Sequence, residues 1–454
     1  MLYEAERRDL TLMLTGDAMI SQLLSPFRER QFQALVDHIR KADAAFTNLE
    51  TAIRERHEGF PNLTQGTPMT TPPRLLEELK WMGFNLFSCA NNHATDYGVA
   101  GILAMLAHLE RANLAYAGIG RNLAEARAPG YLDTPSGRIA LVAATGYFRP
   151  WNRASRQSRD AAGRPGINPL SFRTIHRVDD AALAQLKRIA DALGLSQALA
   201  RKKGQFYSAE EIGSENGQLS FLGERFEAAD DFGLLTRAEK ADAEGNLAAI
   251  GEACRQADWV ILSLHYHDYG AAGARTAEHD KDLTEPADFV RDFARRAIDA
   301  GADVVVGHGP HLTLGIEIYD GKPILYSLGN LILQNDTVTV LPAEAYERFG
   351  LGAEATPADF LDRRTDGGKK GFPATEEYWE GIAASCAFKQ GRLDHIRLLP
   401  LDLGFGRPRA QRGRPMLASG AKAKRILGRV RGLSEAYATT VELQDDTAFV
   451  ALTP

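Results

Sequence analysis

The sequence predicts an α/β fold, in which the strands of a sheet lie between helices. Short apolar runs such as "AAFTNLE" (residues 44–50) and "WVILSLH" (residues 259–265) alternate with stretches of helical periodicity. That alternation is typical of α/β proteins. The composition, 44% hydrophobic and 25% charged, is that of a globular protein, and 454 residues suffice for one large domain with insertions or for two to three average domains.

The first part of the chain shows the alternation most clearly. Each apolar run indicates a strand, and the helix at residues 72–83 begins with prolines, which fit the first turn of a helix. In order, the predicted elements are a strand "TLMLTGD" (11–17), a helix at 28–42, a strand "AAFTNLE" (44–50), a helix "PPRLLEELKWMG" (72–83), a strand "FNLFSCA" (84–90), a helix at 99–113, and strands "LAYAGIG" (114–120) and "GRIALVAAT" (137–145).

The alternation is interrupted from Tyr147 to about Lys240. The stretch 147–170 is rich in Arg, Gly, Pro and Ser, and a long helical pattern follows near 179–203. Because the aromatic residues and "PGINPL" of this stretch have the character of packed segments, we predict an insertion at 147–240 that caps a site rather than a linker.

After the insertion the alternation resumes. The Asp320-Gly321 pair between two apolar runs is a strong signal for a β-hairpin. We predict a main domain over 10–405 and a C-terminal basic segment, helix and strand pair over 406–454 that pack on the same domain. The predicted elements are a helix ending at Gln256, strands "WVILSLH" (259–265) and "ADVVVGH" (302–308), a helix at 285–300, hairpins at 315–330 and 381–400, a helix at 420–432 and a final strand pair.

Charge and cysteine content exclude several classes of protein. A net charge of −6 and the absence of helix-turn-helix, zinc-finger or RNA-binding signatures argue against a nucleic-acid partner. No window approaches the 18 apolar residues of a membrane span, and the N-terminus has no signal-peptide pattern. Cys89, Cys254 and Cys386 are dispersed and odd in number, which indicates buried thiols in a reducing compartment rather than a disulfide framework. We therefore expect a cytoplasmic location.

Polar side chains follow five of the predicted strands. Taken singly, Asp17 fits a turn or helix cap, Glu50 a solvated loop, and His265 a hydrogen-bonded core histidine. Ligands of α/β sheets, however, gather at the carboxyl ends of strands, and this mixture of donors suits Zn, Mn or Fe. The donors outnumber the ligands of one tetrahedral ion, so we predict one or two divalent metal ions, a pair sharing a bridging carboxylate. The residues concerned are Asp17, Glu50, Asn92, His93, His265, His308 and His311.

Six short motifs, in this order, carry a resemblance to a known family: "GDAM", "NLET", "ANNHATDYG", "LHYH", "GHGPH" and "YSLGN". Together they resemble the CapA (PgsA) family of poly-γ-glutamate synthesis proteins, which is itself similar to the calcineurin-like metallophosphoesterases. The resemblance covers residues 10–335, and "GRLDHIRLLPLDL" and "GRPRAQRGRP" extend it. It implies a four-layer α/β/β/α sandwich with a metal centre at one edge.

The resemblance also implies a role for each residue of the motifs. Asp17 and Asn92 match metal ligands, and Glu50 takes the place of the bridging carboxylate. His93 matches the histidine that stabilises the transition state, and Asp96 fits a partner that orients its imidazole. The three later metal-binding histidines of the family correspond to His265, His308 and His311.

The first and fourth motifs depart from the family pattern. The phosphoesterases begin Asp-x-His, whereas Ala18 and Met19 follow Asp17 here, so one metal position lacks a ligand. His267 could replace it, because residues i and i+2 of a strand share a face. In closer relatives Trp-Gly follows the fourth-motif histidine, and here Tyr266 stands in that place.

The reaction implied is metal-assisted hydrolysis of a phosphoester, an amide or a γ-glutamyl bond. Arg149, Arg153 and Arg164 of the insertion could bind a carboxylate or phosphate of an anionic small-molecule or polymer substrate, or could form a solvated loop. Residues 407–431 hold nine Lys or Arg and no acid, which could attract an anion or form a solvated face. The alternative function is that of a non-catalytic accessory protein binding poly-γ-glutamate or its synthase. The oligomeric state is open.

Overall fold

The computed structural model describes residues 7–62, 66–195, 197–198, 201, 218–268 and 284–452. The chain falls into two compact units, each with its own sheets. We call them the main unit (Met1–Leu170, Ala241–His267 and Ala294–Pro454) and the small unit (Ser171–Lys240 and Asp268–Phe293). The predicted insertion at 147–240 therefore begins within the main unit, and its part from Ser171 onwards lies in the small unit.

A ten-stranded sheet, which is parallel in its centre, runs through the main unit. The first strand pairs in parallel with the strand Ala44–Leu49 on one side and, through its last residues, with Asn330–Leu333 on the other. The parallel strands therefore bring their carboxyl ends to one edge. The strands are Leu10–Met19, Ala44–Leu49, Leu86–Ser88, Ala115–Ala117, Asn330–Leu333, Glu380–Lys389, Arg392–Asp402, Met416–Leu417, Val441–Gln444 and Thr447–Val450.

A six-stranded sheet is the second large element of the main unit. Its central strands are also parallel, and the register sets His265 directly beside His308 at the ends of two neighbouring strands. Its strands are Gly130–Thr134, Gly137–Thr145, Trp259–His265, Val304–His308, Ile316–Tyr319 and Lys322–Leu325; two-residue strands pair Ile119–Gly120 with Gly166–Ile167 and Ala52–Ile53 with Thr70–Thr71.

Seven of the α-helices among the described residues correspond to predicted helices and follow the predicted order, whereas Leu123–Arg127, Ala343–Arg348 and Pro357–Thr365 were not predicted. None of them combines the length and the apolar character needed to cross a bilayer. The α-helices are Arg30–Arg40, Leu76–Met82, Gly98–Arg111, Leu123–Arg127, Asp180–Ala192, Lys240–Ala253, Asp288–Asp299, Ala343–Arg348, Pro357–Thr365 and Gly420–Ser434; 3₁₀ turns include Pro73–Leu75, His93–Thr95, Pro150–Asn152, Asn335–Thr337, Phe372–Ala374, Glu376–Trp379, Arg409–Gln411 and Glu435–Tyr437.

Two hydrophobic cores lie on the two faces of the ten-stranded sheet. Leu12 and Leu14 belong to a core that includes Leu141 and Ile261 of the six-stranded sheet, so the two sheets share it. Met13, one residue away in the first strand, belongs to the other core, which contains the apolar faces of the helices Arg30–Arg40, Leu76–Met82 and Gly98–Arg111. The predicted mixed α/β class is confirmed.

The small unit contains a four-stranded sheet and a helix. The strands Phe172–Val178, Leu219–Phe221, Glu224–Ala228 and Gly233–Ala238 form the sheet, and the helix Asp180–Ala192 follows the first of them. The side chain of Asp179 caps the helix by accepting a hydrogen bond from Ala182 N at 2.7 Å.

Two sequence predictions of continuous elements were wrong, in each case at a glycine. The helix predicted for 179–203 is interrupted at Gly194, which has a φ of +68°. Residues 196, 199–200 and 202–203 of that prediction lie outside the described residues. The predicted strand at 114–120 is divided in two by Gly118, whose φ is +100°. The Asp320-Gly321 hairpin is confirmed, since both residues have the positive φ of a type I′ turn.

Candidate metal centre

The first strand of the ten-stranded sheet brings Asp17 to the edge where the parallel strands end. Its pairing register shifts at Asp17 on both sides, so the strand bends there. Gly16 makes this possible, because a Cβ at that position would lie 1.8 Å from Gly329 O. Asp17 N donates to Gly329 O at 3.1 Å, and Gly309 N donates to Asp17 Oδ2 at 3.0 Å. Asp17 is consequently fixed between the two sheets.

Asp17, His265 and His308 form a first triad of metal-competent side chains. All three are fully buried, and one ligand atom from each lies within 4.8 Å of the other two. Asp17 Oδ1 is 3.6 Å from His308 Nδ1 and 4.0 Å from His265 Nδ1. The two Nδ1 atoms are 3.0 Å apart. One carboxylate and two imidazoles at this spacing match a site for a borderline divalent ion.

Glu50, His267 and His311 form a second triad, in which one ligand atom from each residue again lies within 4.8 Å of the other two. His311 Nε2 lies 3.8 Å from Glu50 Oε1, and His267 Nε2 lies 3.2 Å from His265 Nε2. The triads adjoin each other, since His311 Nδ1 is 3.1 Å from Asp17 Oδ2. Glu50 Oε1 is also 3.8 Å from His265 Nε2, so this carboxylate faces both triads.

The Glu50 carboxyl group is buried without a hydrogen-bond partner among the described residues. Both of its oxygens are inaccessible to solvent, and no donor in the described part of the chain hydrogen-bonds to them. Burial, and after it the negative charge of Asp17, raises the pKa of Glu50 well above its usual value. Such a group is costly unless a cation compensates it, which is the strongest physical indication that this cluster binds metal.

The surroundings favour neutral imidazoles at His265, His267 and His308 and an ionised carboxylate at Asp17, the forms that bind metal. Burial is the main reason why the pKa of His308 falls to about 4 and that of His267 to about 3. Burial is also the main cause that lowers the pKa of His265. Burial by itself would raise the pKa of Asp17. The hydrogen bond from His311 and the electrostatic attraction of that imidazole outweigh it and hold that pKa below its usual range.

His93 lies next to the cluster, near the Glu50 carboxyl group. Its Nδ1 hydrogen-bonds Asp96 Oδ2 at 2.7 Å, and its Nε2 lies 4.0 Å from Glu50 Oε1. Asp96 Oδ2 also accepts a hydrogen bond from Met69 N at 2.6 Å, which fixes the carboxylate. Since Asp96 orients the ring through Nδ1, Nε2 is the atom available to a ligand at the centre.

A family model described as "Bacterial capsule synthesis protein PGA_cap" matches residues 11–335 of the chain. The match covers more than half of the 454 residues. The chain belongs to this capsule synthesis family. The resemblance predicted from the six motifs is confirmed.

Several curated relatives align with most of the chain. The chain is 32% identical over 452 residues to "Uncharacterized protein y4sH" of Sinorhizobium fredii, covering 97% of this chain and 93% of the relative. It is 25% identical to "PGA biosynthesis protein CapA" of Bacillus subtilis, covering 71% of this chain and 63% of the relative. Identity to "Capsule biosynthesis protein CapA" of Bacillus anthracis is 21%, covering 72% and 60%. The chain thus spans less than two thirds of either CapA protein.

The structure brings the predicted metal residues of this family member together at one edge. Asn92 Oδ1 lies 2.8 Å from His265 Nε2, which places the amide oxygen beside both triads. His267 joins the second triad, but for a different reason from the one the sequence offered. The strand ends at His265, so the loop after it, rather than the alternation of a strand, sets the direction of His267.

The predicted substrate-binding arginines lie elsewhere. Among the described residues, none of the contacts of Arg149, Arg153 or Arg164 involves a member of the triads. Arg149 is exposed, and Arg153 Nη2 lies 3.3 Å from Asp242 Oδ1. Arg164 donates to the backbone oxygens of Arg153 and Pro150. Their role in substrate binding stays a prediction.

Most of the basic residues of 407–431 form ion pairs within the chain. Arg429 Nη1, for example, lies 2.7 Å from Glu380 Oε2, and Lys422 Nζ lies 3.0 Å from Asp402 Oδ2. The stretch is therefore largely neutralised by carboxylates from other segments. The pairs are Arg409–Asp362, Arg412–Asp336, Arg414–Glu29, Lys422–Asp402, Arg425–Glu376, Arg425–Glu380, Arg429–Glu377 and Arg429–Glu380.

Three asparagines near the centre were missed by the sequence reasoning as site residues. Asn48 Nδ2 donates to Asp17 Oδ1 at 2.8 Å, and Asn91 Nδ2 donates to Asn48 Oδ1 at 3.0 Å. Asn330 Oδ1 lies 2.9 Å from His311 Nδ1. Each belongs to a quoted motif, "NLET", "ANNHATDYG" or "YSLGN", so membership of a motif was the available signal.

Proposed function

We propose that this member of the capsule synthesis family is a metal-dependent hydrolase with a centre for two divalent ions. The observation that carries the proposal is the fully buried, unpartnered Glu50 carboxylate, which faces two adjoining triads. Asp17, His265 and His308 would hold one ion, and Glu50, His267 and His311 the other, with Asn92 beside both. The oxygen and imidazole donors suit Mn, Zn or Fe.

When bound, such ions lower the pKa of a water molecule and polarise the bond to be cleaved. The chain's own residues would supply the rest. His93 would donate a proton from Nε2 to the leaving group, while Asp96 holds Nδ1 and keeps the ring in place. The asparagines at positions 48, 91 and 330 would fix Asp17 and His311. An anionic small molecule or polymer with a phosphoester, amide or γ-glutamyl bond is the proposed substrate.

The metal proposal is tested by elemental analysis of protein purified without chelator or affinity metal. We expect nearly two equivalents of Mn, Fe or Zn in the wild type and a clear loss of metal in His308→Ala. His395→Ala is the matched control, because His395 is a partly exposed histidine of the hairpin at 380–402 and belongs to neither triad. Absence of metal after reconstitution of the wild type would contradict the proposal.

Catalysis is tested on a generic phosphodiester, a phosphomonoester and γ-glutamyl amides. We expect turnover of one of these classes, and a reduction of kcat in His93→Ala by about 10²- to 10⁴-fold with metal content unchanged. If both the wild type and His93→Ala bind metal and turn over substrate equally fast, His93 has no role in catalysis.

The alternative is a non-catalytic accessory protein that binds poly-γ-glutamate or its synthase. Two observations favour it: the CapA relatives are named for PGA biosynthesis and capsule biosynthesis, and Ala18 and Met19 supply no ligand after Asp17. This function predicts binding of poly-γ-glutamate without turnover. Equilibrium sedimentation with the polymer, beside the hydrolase assays, distinguishes the two.

We further propose the four-layer α/β/β/α arrangement for the predicted domain 10–405, with residues 406–454 packed on it. Its support is that both faces of the six-stranded sheet are buried: Leu141 and Ile261 face the shared core, and the alternate residues Val142 and Leu262 are equally inaccessible. An experimental structure would test this. A cytoplasmic location is likewise proposed, supported by three free cysteines, and cell fractionation tests it.

A further inference from the structure

A cavity of about 490 Å³ lies against the turn that carries His93 and Asp96. Thr95 and Tyr97, the chain neighbours of Asp96, form part of its wall. In this short turn the Asp96 carboxylate therefore contacts His93, while Thr95 and Tyr97 on either side of Asp96 contact the cavity. A cavity of this volume accommodates a small organic group.

The wall of this cavity holds several exposed apolar side chains. Phe60, Trp151 and Val99 are 81%, 48% and 42% exposed, respectively, and all three line it. Exposed apolar groups scattered singly over a surface are ordinary, but their convergence on one concave site indicates a binding partner. Two aromatic rings and an aliphatic residue favour an apolar or aromatic ligand body.

Arg164 adds a positive charge to the wall. Its Nε donates to Arg153 O at 3.1 Å and its Nη2 to Pro150 O at 3.5 Å, which directs the guanidinium. Within the described part of the chain it has no carboxylate partner, in contrast to the basic residues of 407–431. An exposed, oriented guanidinium binds carboxylate or phosphate oxygens well.

Hydrogen bonds hold the cavity open between separate segments. Asn62 N donates to Asp96 O at 2.8 Å, and Asn62 Nδ2 donates to Asn152 Oδ1 at 3.0 Å. Arg164 N donates to Ser155 Oγ at 2.8 Å. These bonds join the loop at 60–62, the 3₁₀ turn Pro150–Asn152 and the turn at His93, so the site is formed before a ligand arrives.

We propose that this cavity binds the part of the substrate that flanks the bond to be cleaved, an apolar or aromatic group bearing one carboxylate or phosphate. Phe60, Trp151 and Val99 contact the apolar body, and Arg164 binds the anionic group. This proposal rests on the proposed hydrolase function for its link to the substrate, because the shared turn couples the cavity to His93. The cavity itself is defined without the metal.

The binding test uses 2-naphthoate, which has both features, with 2-naphthalenemethanol and acetate as probes that have one each. We expect 2-naphthoate to bind most tightly. Arg164→Gln should weaken 2-naphthoate about tenfold or more and leave 2-naphthalenemethanol unchanged. Trp151→Ala and Phe60→Ala should weaken both naphthyl probes. Arg159→Gln is the matched control, because Arg159 is an exposed arginine of the same segment and forms an ion pair with its neighbour Asp160.

Isothermal calorimetry gives these affinities, and the thermal unfolding of each variant shows that it is folded. Equal affinity for 2-naphthoate in the wild type, Arg164→Gln and Trp151→Ala would overturn the proposal. So would non-competitive inhibition by 2-naphthoate of any substrate found.

The metal-site variant Asp17→Ala separates this proposal from the hydrolase function. We expect it to bind 2-naphthoate with wild-type affinity, since Asp17 does not line the cavity. If no substrate is turned over while the binding pattern holds, the ligand site is supported and the hydrolase function fails. If turnover is present and the binding pattern is absent, the cavity proposal alone fails.

Discussion

A carboxylate without hydrogen-bond donors, such as that of Glu50, is stable inside a protein only when a proton or a cation offsets its charge. Most buried polar groups in the structure do have partners, and Asp17, only one strand away, accepts hydrogen bonds from Asn48 and Gly309. Hydrogen bonds therefore fix the carboxylate of Asp17, whereas the carboxyl group of Glu50 has the environment expected of a metal ligand.

The substitution Glu50→Gln should separate the stability of the fold from metal binding. The neutral amide removes the cost of either burying the charge or protonating the carboxyl group, so we expect the metal-free variant to gain about 1–3 kcal/mol of unfolding free energy and to bind metal at least tenfold more weakly. Urea denaturation of chelator-treated protein and elemental analysis measure the two effects. Glu442→Gln, at an exposed strand position, should change neither, and a loss of stability in Glu50→Gln would contradict this interpretation.

The substitution Asp96→Asn should affect turnover and leave metal content unchanged. Asp96 contacts His93 Nδ1 and Met69 N rather than either triad, so its role is to position the imidazole. We expect kcat to fall about 10- to 100-fold with two equivalents of metal retained. Steady-state kinetics and elemental analysis on the same preparation test this. Loss of metal in this variant would instead place Asp96 among the residues that hold the ions.

Some of the site residues could be predicted from the sequence and others could not. The strand-end residues Asp17, Glu50, His265 and His308 were predictable, because the carboxyl ends of parallel strands meet. Asn48 was not, since it lies inside a strand, and its direction depends on the register shift next to Asp17. That shift follows from the close approach of Gly329 to Gly16, which a linear pattern does not reveal.

At the scale of elements, periodicity predicted seven of the described helices and the hairpins, but it could not predict ion pairs between distant segments. The basic residues of 407–431 have the composition of an anion-binding face, yet their partners include Glu29, Asp336 and Glu380 from other parts of the sequence. Composition gives the charge of a segment. Only the fold determines which opposite charges lie against it.

The pair Arg429–Glu380 gives a prediction at this scale. Glu380 is 1% exposed, so Arg429→Gln would remove one of the two cations that compensate a buried carboxylate. We expect a loss of about 1–2 kcal/mol of unfolding free energy, measured by urea denaturation. Lys424→Gln, an exposed change in the same helix, should stay within about 0.5 kcal/mol of the wild type. Equal effects of the two would mean that the pair adds no stability.

The glycines of the first strand and of the last helix should respond in opposite directions to alanine. A Cβ at Gly16 would meet Gly329 O at 1.8 Å, so Gly16→Ala should destabilise the fold by more than about 3 kcal/mol or prevent folding. A Cβ at Gly428 would meet nothing within 4 Å, so Gly428→Ala should add about 0.5–1 kcal/mol. Thermal unfolding compares them. A soluble, fully stable Gly16→Ala would show that the two strands can move apart.

At the scale of the whole molecule, the two sheets of the main unit meet in one hydrophobic core and at one polar edge. Asp17 lies in the first strand of the ten-stranded sheet and Glu50 and Asn92 follow other strands of it, whereas His265 and His308 end strands of the six-stranded sheet. Chelation should therefore lower the unfolding temperature, since ligands that bind only the native state stabilise it by mass action. Differential scanning calorimetry with and without added Mn²⁺ tests this. Identical transitions would mean that the ions do not bind the native state.

The candidate metal-binding side chains belong to two sheets, so bound ions would also hold these sheets together. Each triad takes one carboxylate from the ten-stranded sheet and its imidazoles from the segments around the six-stranded sheet. A bound ion would therefore link the two sheets at this edge. Hydrogen exchange at the carboxyl ends of both sets of strands should slow together when the ions are bound. The amides at the opposite ends of the strands, which pack on the apolar core, should keep their exchange rates. Without ions, the two sheets should therefore separate first at the edge that carries the two triads.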